Sequence, residues 1–218
     1  LGDVYKRQTL CKGGKQMKGL LLKDFYLIRK SLLIMFLTFV ALGATLSALI
    51  TSWALIPLGA IMFETMVTTT INTDRNSGWH KVSGVLPVSR KCVIQSKYML
   101  YLILGAIGII LGVVACVVIS NIYSEWNYNS FLLFFSLGFT MALISGSITL
   151  PCSFIFSEDK SMIGQMIAYP ASAFIFAGLV FPAENKTLMF VIAILISIVC
   201  YGASCIFSNI YISRNDIA

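Results

Sequence analysis

The chain has 218 residues, of which 58% are hydrophobic and only 11% charged, and its mean hydropathy is +0.87. That composition excludes a water-soluble globule. The net charge of +7 does not mark a nucleic-acid binder: the bases form two blocks flanking apolar segments, and no folded basic face with base-reading groups accompanies them.

In chain order, Asp3-Val4-Tyr5-Lys6-Arg7-Gln8 looks like a translated sequencing adaptor, so Leu1 to Gln8 are set aside. Met17 is the expected native start, which leaves residues 1–16 as a non-native or upstream segment. Residues 17–30 follow. On a helical wheel Ile28, Leu21, Phe25, Leu22 and Tyr26 make an apolar arc with Lys23 and Lys30 opposite, although Arg29 intrudes on the arc and Leu20 and Leu27 lie on the polar side. This reads as an amphipathic interfacial elbow helix held by anionic lipid, or as a plain basic flank that sets topology.

From residue 31 to 218 the expectation is an all-α domain of six transmembrane helices. Ser31 to Phe63 carries no charge, and continuing to Ile71 across Glu64 resolves it into two spans, Ser31 to Ile50 and Trp53 to Ile71, joined at Thr51-Ser52. The remaining spans are Tyr98 to Ile119, Phe131 to Phe156, Met162 to Phe181 and Leu188 to Ile210. Tyr169-Pro170 and Phe181-Pro182 are expected to break or end the fifth. Of the 16 Lys and Arg, 13 precede the first span or lie in the 72–97 loop, so both termini and that loop are expected in the cytoplasm of a multi-pass cell-membrane protein.

The 72–97 loop is the longest polar stretch. Asp74 is placed to cap a short helix that Gly84 would end, and Ser89, after the Leu86-Pro87 stop, starts a basic stretch leading into the third span. Trp79 and Val82 on so short a helix make sense under a partner protein; the plainer reading is a solvated loop. Glu64 is the one ionisable residue inside a span, a candidate for a transport pathway or a structural carboxylate satisfied by neighbouring hydroxyls such as those of Thr65 and Thr68.

Other chemistry finds little support. Ser145-Gly146-Ser147 has no histidine base in the membrane, since His80 is the only histidine, so Gly138, Ala142, Ser145 and Gly146 read instead as a close-packing helix side. The six scattered cysteines offer neither a disulfide framework nor paired metal ligands, and no metal site is expected. Gly14 to Gly19 has phosphate-loop spacing, but Leu20-Leu21 stands where Lys-Ser or Lys-Thr is required. No catalytic residue and no bound nucleotide are expected.

Asp74-Arg75, Trp79, Leu86-Pro87-Val88-Ser89-Arg90 and Lys97-Tyr98, with the Met17 to Lys30 segment and the six-span layout, resemble the bacterial type-2 ATP-binding-cassette (ABC) transporter permeases from Met17 to the carboxyl terminus. The resemblance implies that the loop carries a coupling helix, matched here by Asp74 to Ser83, which docks in a separate ATPase subunit. Asp74, Arg75, Trp79, Leu86, Pro87, Ser89 and Arg90 are the coupling residues it points to. It also implies that ATP and Mg sit on that partner, that a second or sibling permease completes the complex, and that substrate moves across the bacterial cytoplasmic membrane, as export rather than import. The alternative is a membrane-anchored interaction or immunity protein without transport activity.

Overall fold

A computed structural model describes residues 2–49, 51–78, 90–123, 126–182 and 185–214, with side chains at 17–45, 51–78, 91–122, 126–182 and 185–211. Its helices are α1 (Gly2–Leu49), α2 (Leu55–Asn76), α3 (Arg90–Tyr123), α4 (Tyr128–Ile155), α5 (Glu158–Val180) and α6 (Lys186–Arg214), with one 3-10 turn at Ser52–Ala54 and no strand among the described residues. Each of the six is long and apolar enough to cross a membrane.

The helices follow the expected spans and outrun them at the end that carries the basic loop. Residues 17–30 run into the first span without a break: Lys18 to Leu42 holds no proline and no glycine beyond Gly19, so nothing stops the helix. Leu22, Phe25 and Tyr26 are exposed, while Leu20, Asp24 and Ile28, one turn apart, face the bundle. Leu22, Phe25 and Tyr26 of the apolar arc thus face outward, as lipid allows, while Ile28 and Leu21 of the same arc pack on the bundle.

Helix α2 lies at the centre, antiparallel to α3 and in contact with α1 and α4. Its closest approach is to α3, at glycines: a Cβ on Gly59 would come within 3 Å of the Gly108 carbonyl oxygen, and one on Gly112 would meet the Leu55 carbonyl oxygen and Ile56 Cα at under 3 Å. Backbone touches backbone there, and dispersion replaces the hydrophobic drive that lipid cannot supply. On α4, Gly138, Ala142, Ser145 and Gly146 are buried, as the spacing predicts; Gly138 meets Pro57, and Gly146 receives the Tyr101 and Tyr201 rings.

Two prolines stay inside helices. Pro151 cannot bond to the Ser147 carbonyl one turn back, and Ser204 Oγ of α6 donates to that oxygen at 2.7 Å. Pro170 does not break the fifth span, contrary to expectation: α5 runs unbroken through it to Val180, ending just before Phe181-Pro182. At the end opposite the basic loop, Trp53 of the 3-10 turn packs edge-on against Trp126 and Phe131, and Asn127 caps α4 by accepting from the Asn129 and Ser130 amides.

Gly108→Ala should lower the thermal midpoint of the detergent-purified chain by the amount that about 1–3 kcal/mol of overpacking implies. Gly178→Ala, whose Cβ would meet nothing within 4 Å, should leave it unchanged. Equal midpoints for the two variants would refute the glycine seam.

Candidate functional site at the basic end of the bundle

Where α1, α2 and α3 meet at the basic end, four charged side chains form one buried cluster. Lys97 Nζ of α3 lies 2.9 Å from Asp24 Oδ1 of α1 and 2.7 Å from Asp74 Oδ2 of α2, and donates to Thr70 Oγ1 at 3.1 Å. Lys23 Nζ donates to Asp74 Oδ1 at 2.6 Å and stands 3.5 Å from Asp24 Oδ1. Lys97, Asp24 and Asp74 are 3%, 2% and 6% exposed. Two positive and two negative charges cancel, as burial next to hydrocarbon demands.

Asp74 therefore does not cap a loop helix. It sits in the last turn of α2, which ends when Gly78 takes φ +69° with its amide bonded to the Arg75 carbonyl and that of Ser77 to Thr73. Gly78 stops α2 just beyond Asp74, the described helices α2 and α3 leave 77–89 between them, and Gly84 lies outside the described residues. Arg75 reaches the neighbouring helix hairpin: its Nη1 donates to the Phe156 carbonyl at 2.7 Å and Nη2 to the Ser153 carbonyl at 2.9 Å. These are carbonyls at the carboxyl end of α4, where the helix leaves oxygens unpaired and favours a cation. Asn76 Nδ2 adds a bond of 3.2 Å to Glu158 Oε2 of α5. Trp79, Leu86, Pro87 and Ser89 lie outside the described residues, as does the rest of the coupling-helix stretch beyond Gly78; Arg90 opens α3.

Glu64 lies deeper, 1% exposed. Its Oε2 accepts from the Tyr101 hydroxyl at 2.7 Å and from Ser145 Oγ at 3.4 Å, while Oε1, without a hydrogen bond, is so close to Gly105 that a Cβ there would lie 2.7 Å away. Its donors come from α3 and α4. Thr65 and Thr68 bond back to the carbonyls of Met62 and Thr65 instead, because in a helix a threonine hydroxyl reaches its own preceding turn first.

Beside this core, α2 and α5 barely touch and leave a groove of about 400 Å³ between them, lined by Thr65, Thr68, Thr69, Asn72, Gln165 and Tyr169, with Met162 and Met166 at its margin. Gln165 Nε2 bridges it to Thr68 Oγ1 at 3.3 Å. Glu64 is not among the lining residues. Among the described residues, no group of three His, Cys, Asp or Glu is placed to hold a metal.

The model for the ABC-2 family transporter protein matches residues 19–212. The chain belongs to the ABC-2 transporter family. Comparison with curated proteins and with solved structures returns no match. The chain is thus a permease, the multi-pass membrane component of an ABC transporter and not its catalytic one, and the family implies an ATPase partner.

Within the permease, sequence reasoning singled out Asp74 and Arg75 but passed over Asp24, Lys23 and Lys97 as site residues. One signal was present: Asp24 lies one turn from Leu20 and one from Ile28, a carboxylate in line with aliphatics. Among the described residues, removing Lys97 leaves both carboxylates to Lys23. Lys97→Met should cost about 3–5 kcal/mol of stability, and Lys97→Met with Asp24→Asn should cost less than the two singles summed. Additive losses in a thermal-unfolding double-mutant cycle would show that the pair is not coupled.

Proposed function

We propose that this permease works with a separate ATP- and Mg-binding ATPase that engages its basic loop, that a second or sibling permease pairs with it, and that substrate leaves the cell through the complex. The observation that carries this reading is the bracing of the loop. Asp74 and Lys97, one on each helix flanking it, meet in the buried cluster that also holds α1, and Arg75 and Asn76 tie the same helix end to the α4–α5 turn. A displacement of the loop is passed to five helices without slack, which an ATPase closing around ATP could exploit. Trp79, Leu86, Pro87, Ser89 and Arg90 belong to the contact surface in this reading, whereas Asp74 and Arg75 act as braces behind it. ATP is bound by the partner alone.

The basic end faces the cytoplasm in this orientation, with both termini on that side of the cell membrane and anionic lipid around the bases. The α2–α5 groove then opens in the cytoplasmic half. A row of threonines with Asn72 and Gln165 is poorly suited to hydrocarbon, so the groove borders the translocation path and is completed by the paired permease. Glu64 lies behind that path as a brace. Export fits the opposite end, where the connections 50–54, 124–127 and 181–185 are too short to receive a substrate-delivery protein.

The test is the permease reconstituted with the ATPase. Trp79→Ala should abolish co-purification while leaving membrane insertion intact. Arg75→Ala should leave co-purification intact but cut substrate-stimulated ATP hydrolysis about tenfold, equivalent to about 1.4 kcal/mol of lost coupling. An anchor or immunity protein would bind its partner through the loop with no ATP-dependent transport at all, and that result would sink the proposal.

A further inference from the structure

Resting on the reading that the α2–α5 groove borders the path, the chemistry of its lining identifies what the groove accepts. We propose that it is a binding subsite for an uncharged amphipath rich in hydrogen-bond donors, a molecule carrying hydroxyl or amide N–H groups beside aliphatic carbon.

No lining residue is charged. The charges nearby are committed elsewhere: Glu64 to Tyr101 and Ser145, Asp74 to the two lysines, Arg75 to the α4 carbonyls and Glu158 to Asn76. A charged ligand would leave water for a wall that offers no counter-charge. Lys160 and Asp159 are exposed at the start of α5, two or three residues from Met162, at the rim rather than in the lining.

The groove nonetheless holds hydrogen-bonding capacity in excess. The Thr65 and Thr69 hydroxyls spend their protons on the Met62 and Thr65 carbonyls, which leaves their oxygens as acceptors. Thr68 spends its proton the same way and accepts from Gln165. Two polar atoms are buried without a well-formed hydrogen bond: Asn72 Oδ1, an acceptor, and the Tyr169 hydroxyl, which lies beside Tyr101 and Gln165. Buried polar atoms of this kind normally find partners. The Asn72 amide N–H groups and the Tyr169 hydroxyl are donors too, but the three threonine oxygens have spent their protons and can only accept, so the complementary ligand brings donors to them. Met162 and Met166, 48% and 75% exposed, give the margin a deformable apolar edge for its carbon skeleton.

The test uses the permease–ATPase complex in lipid nanodiscs, with the six native cysteines replaced and Thr69→Cys introduced. Its labelling by N-ethylmaleimide is followed during turnover, in the presence of dodecyl maltoside, dodecyltrimethylammonium or dodecyl sulfate below their micelle concentrations. The maltoside should slow labelling and the two charged probes should not. Asn72→Leu with Tyr169→Phe should weaken that protection about tenfold, as expected when two hydrogen bonds are lost. Thr65→Cys, one turn away, repeats the measurement should Thr69→Cys assemble poorly. Protection by a charged probe equal to that by the maltoside overturns the ligand class while leaving the path reading in place. No protection by any probe, with transport unaffected by the label, overturns both.

Discussion

The architecture depends on one balance of charge. Lys97 is buried against two carboxylates from two other helices, and Lys23 completes the neutral set. In a membrane such a group has no water to fall back on, so its partners are obligatory and their positions become a constraint on the fold. Asp24 fixes the rotation of α1, and Asp74 fixes where α2 ends relative to α3. Once these are set, Leu20 and Ile28 must face the bundle and Leu22, Phe25 and Tyr26 must face lipid.

The other helices are attached by hydrogen bonds at sites of backbone irregularity. Pro151 frees the Ser147 carbonyl and Ser204 of α6 takes it; the Tyr201 hydroxyl donates to the Tyr98 carbonyl at 2.8 Å, and the Tyr98 hydroxyl lies 2.8 Å from Ser208 Oγ. Arg75 and Asn76 take up the end of α4 and the beginning of α5. Between α2 and α5 the described residues form only the Asn76–Glu158 bond at the basic end and the Gln165–Thr68 bond, and between those two fastenings and beyond them the groove opens.

The six spans and the family were legible in the sequence because apolar runs of span length, interrupted by short polar turns, admit few alternatives. Which residues of α1 face inward was not, since Ile28 and Leu21 of the apolar arc pack on the bundle while Leu22, Phe25 and Tyr26 face outward, and only the neighbouring helices decide between them. Asp74 was noticed for its place beside the loop, but its role needed Lys97, more than twenty residues away and on another helix. Glu64 was conspicuous as a lone charge, and the plainer structural reading anticipated hydroxyl partners; which hydroxyls they were depended on helix neighbours that no local pattern reveals. Pro170 misled because a proline inside a membrane-spanning helix need not end it, and α5 runs on past it to Val180.

The backbone contact between α2 and α3 lies off centre. Gly59, where the two chains touch, is four residues from the start of α2 and fifteen from Asp74, which by helix rise makes arms of about 6 Å and about 22 Å. The shorter arm runs to the aromatic end of the bundle and the longer one to the charged cluster, so the tightest backbone contact is not shared evenly between the two ends. Close backbone packing is thereby placed beside the aromatic cap formed by Trp53, Trp126 and Phe131, and the groove flanks the longer arm.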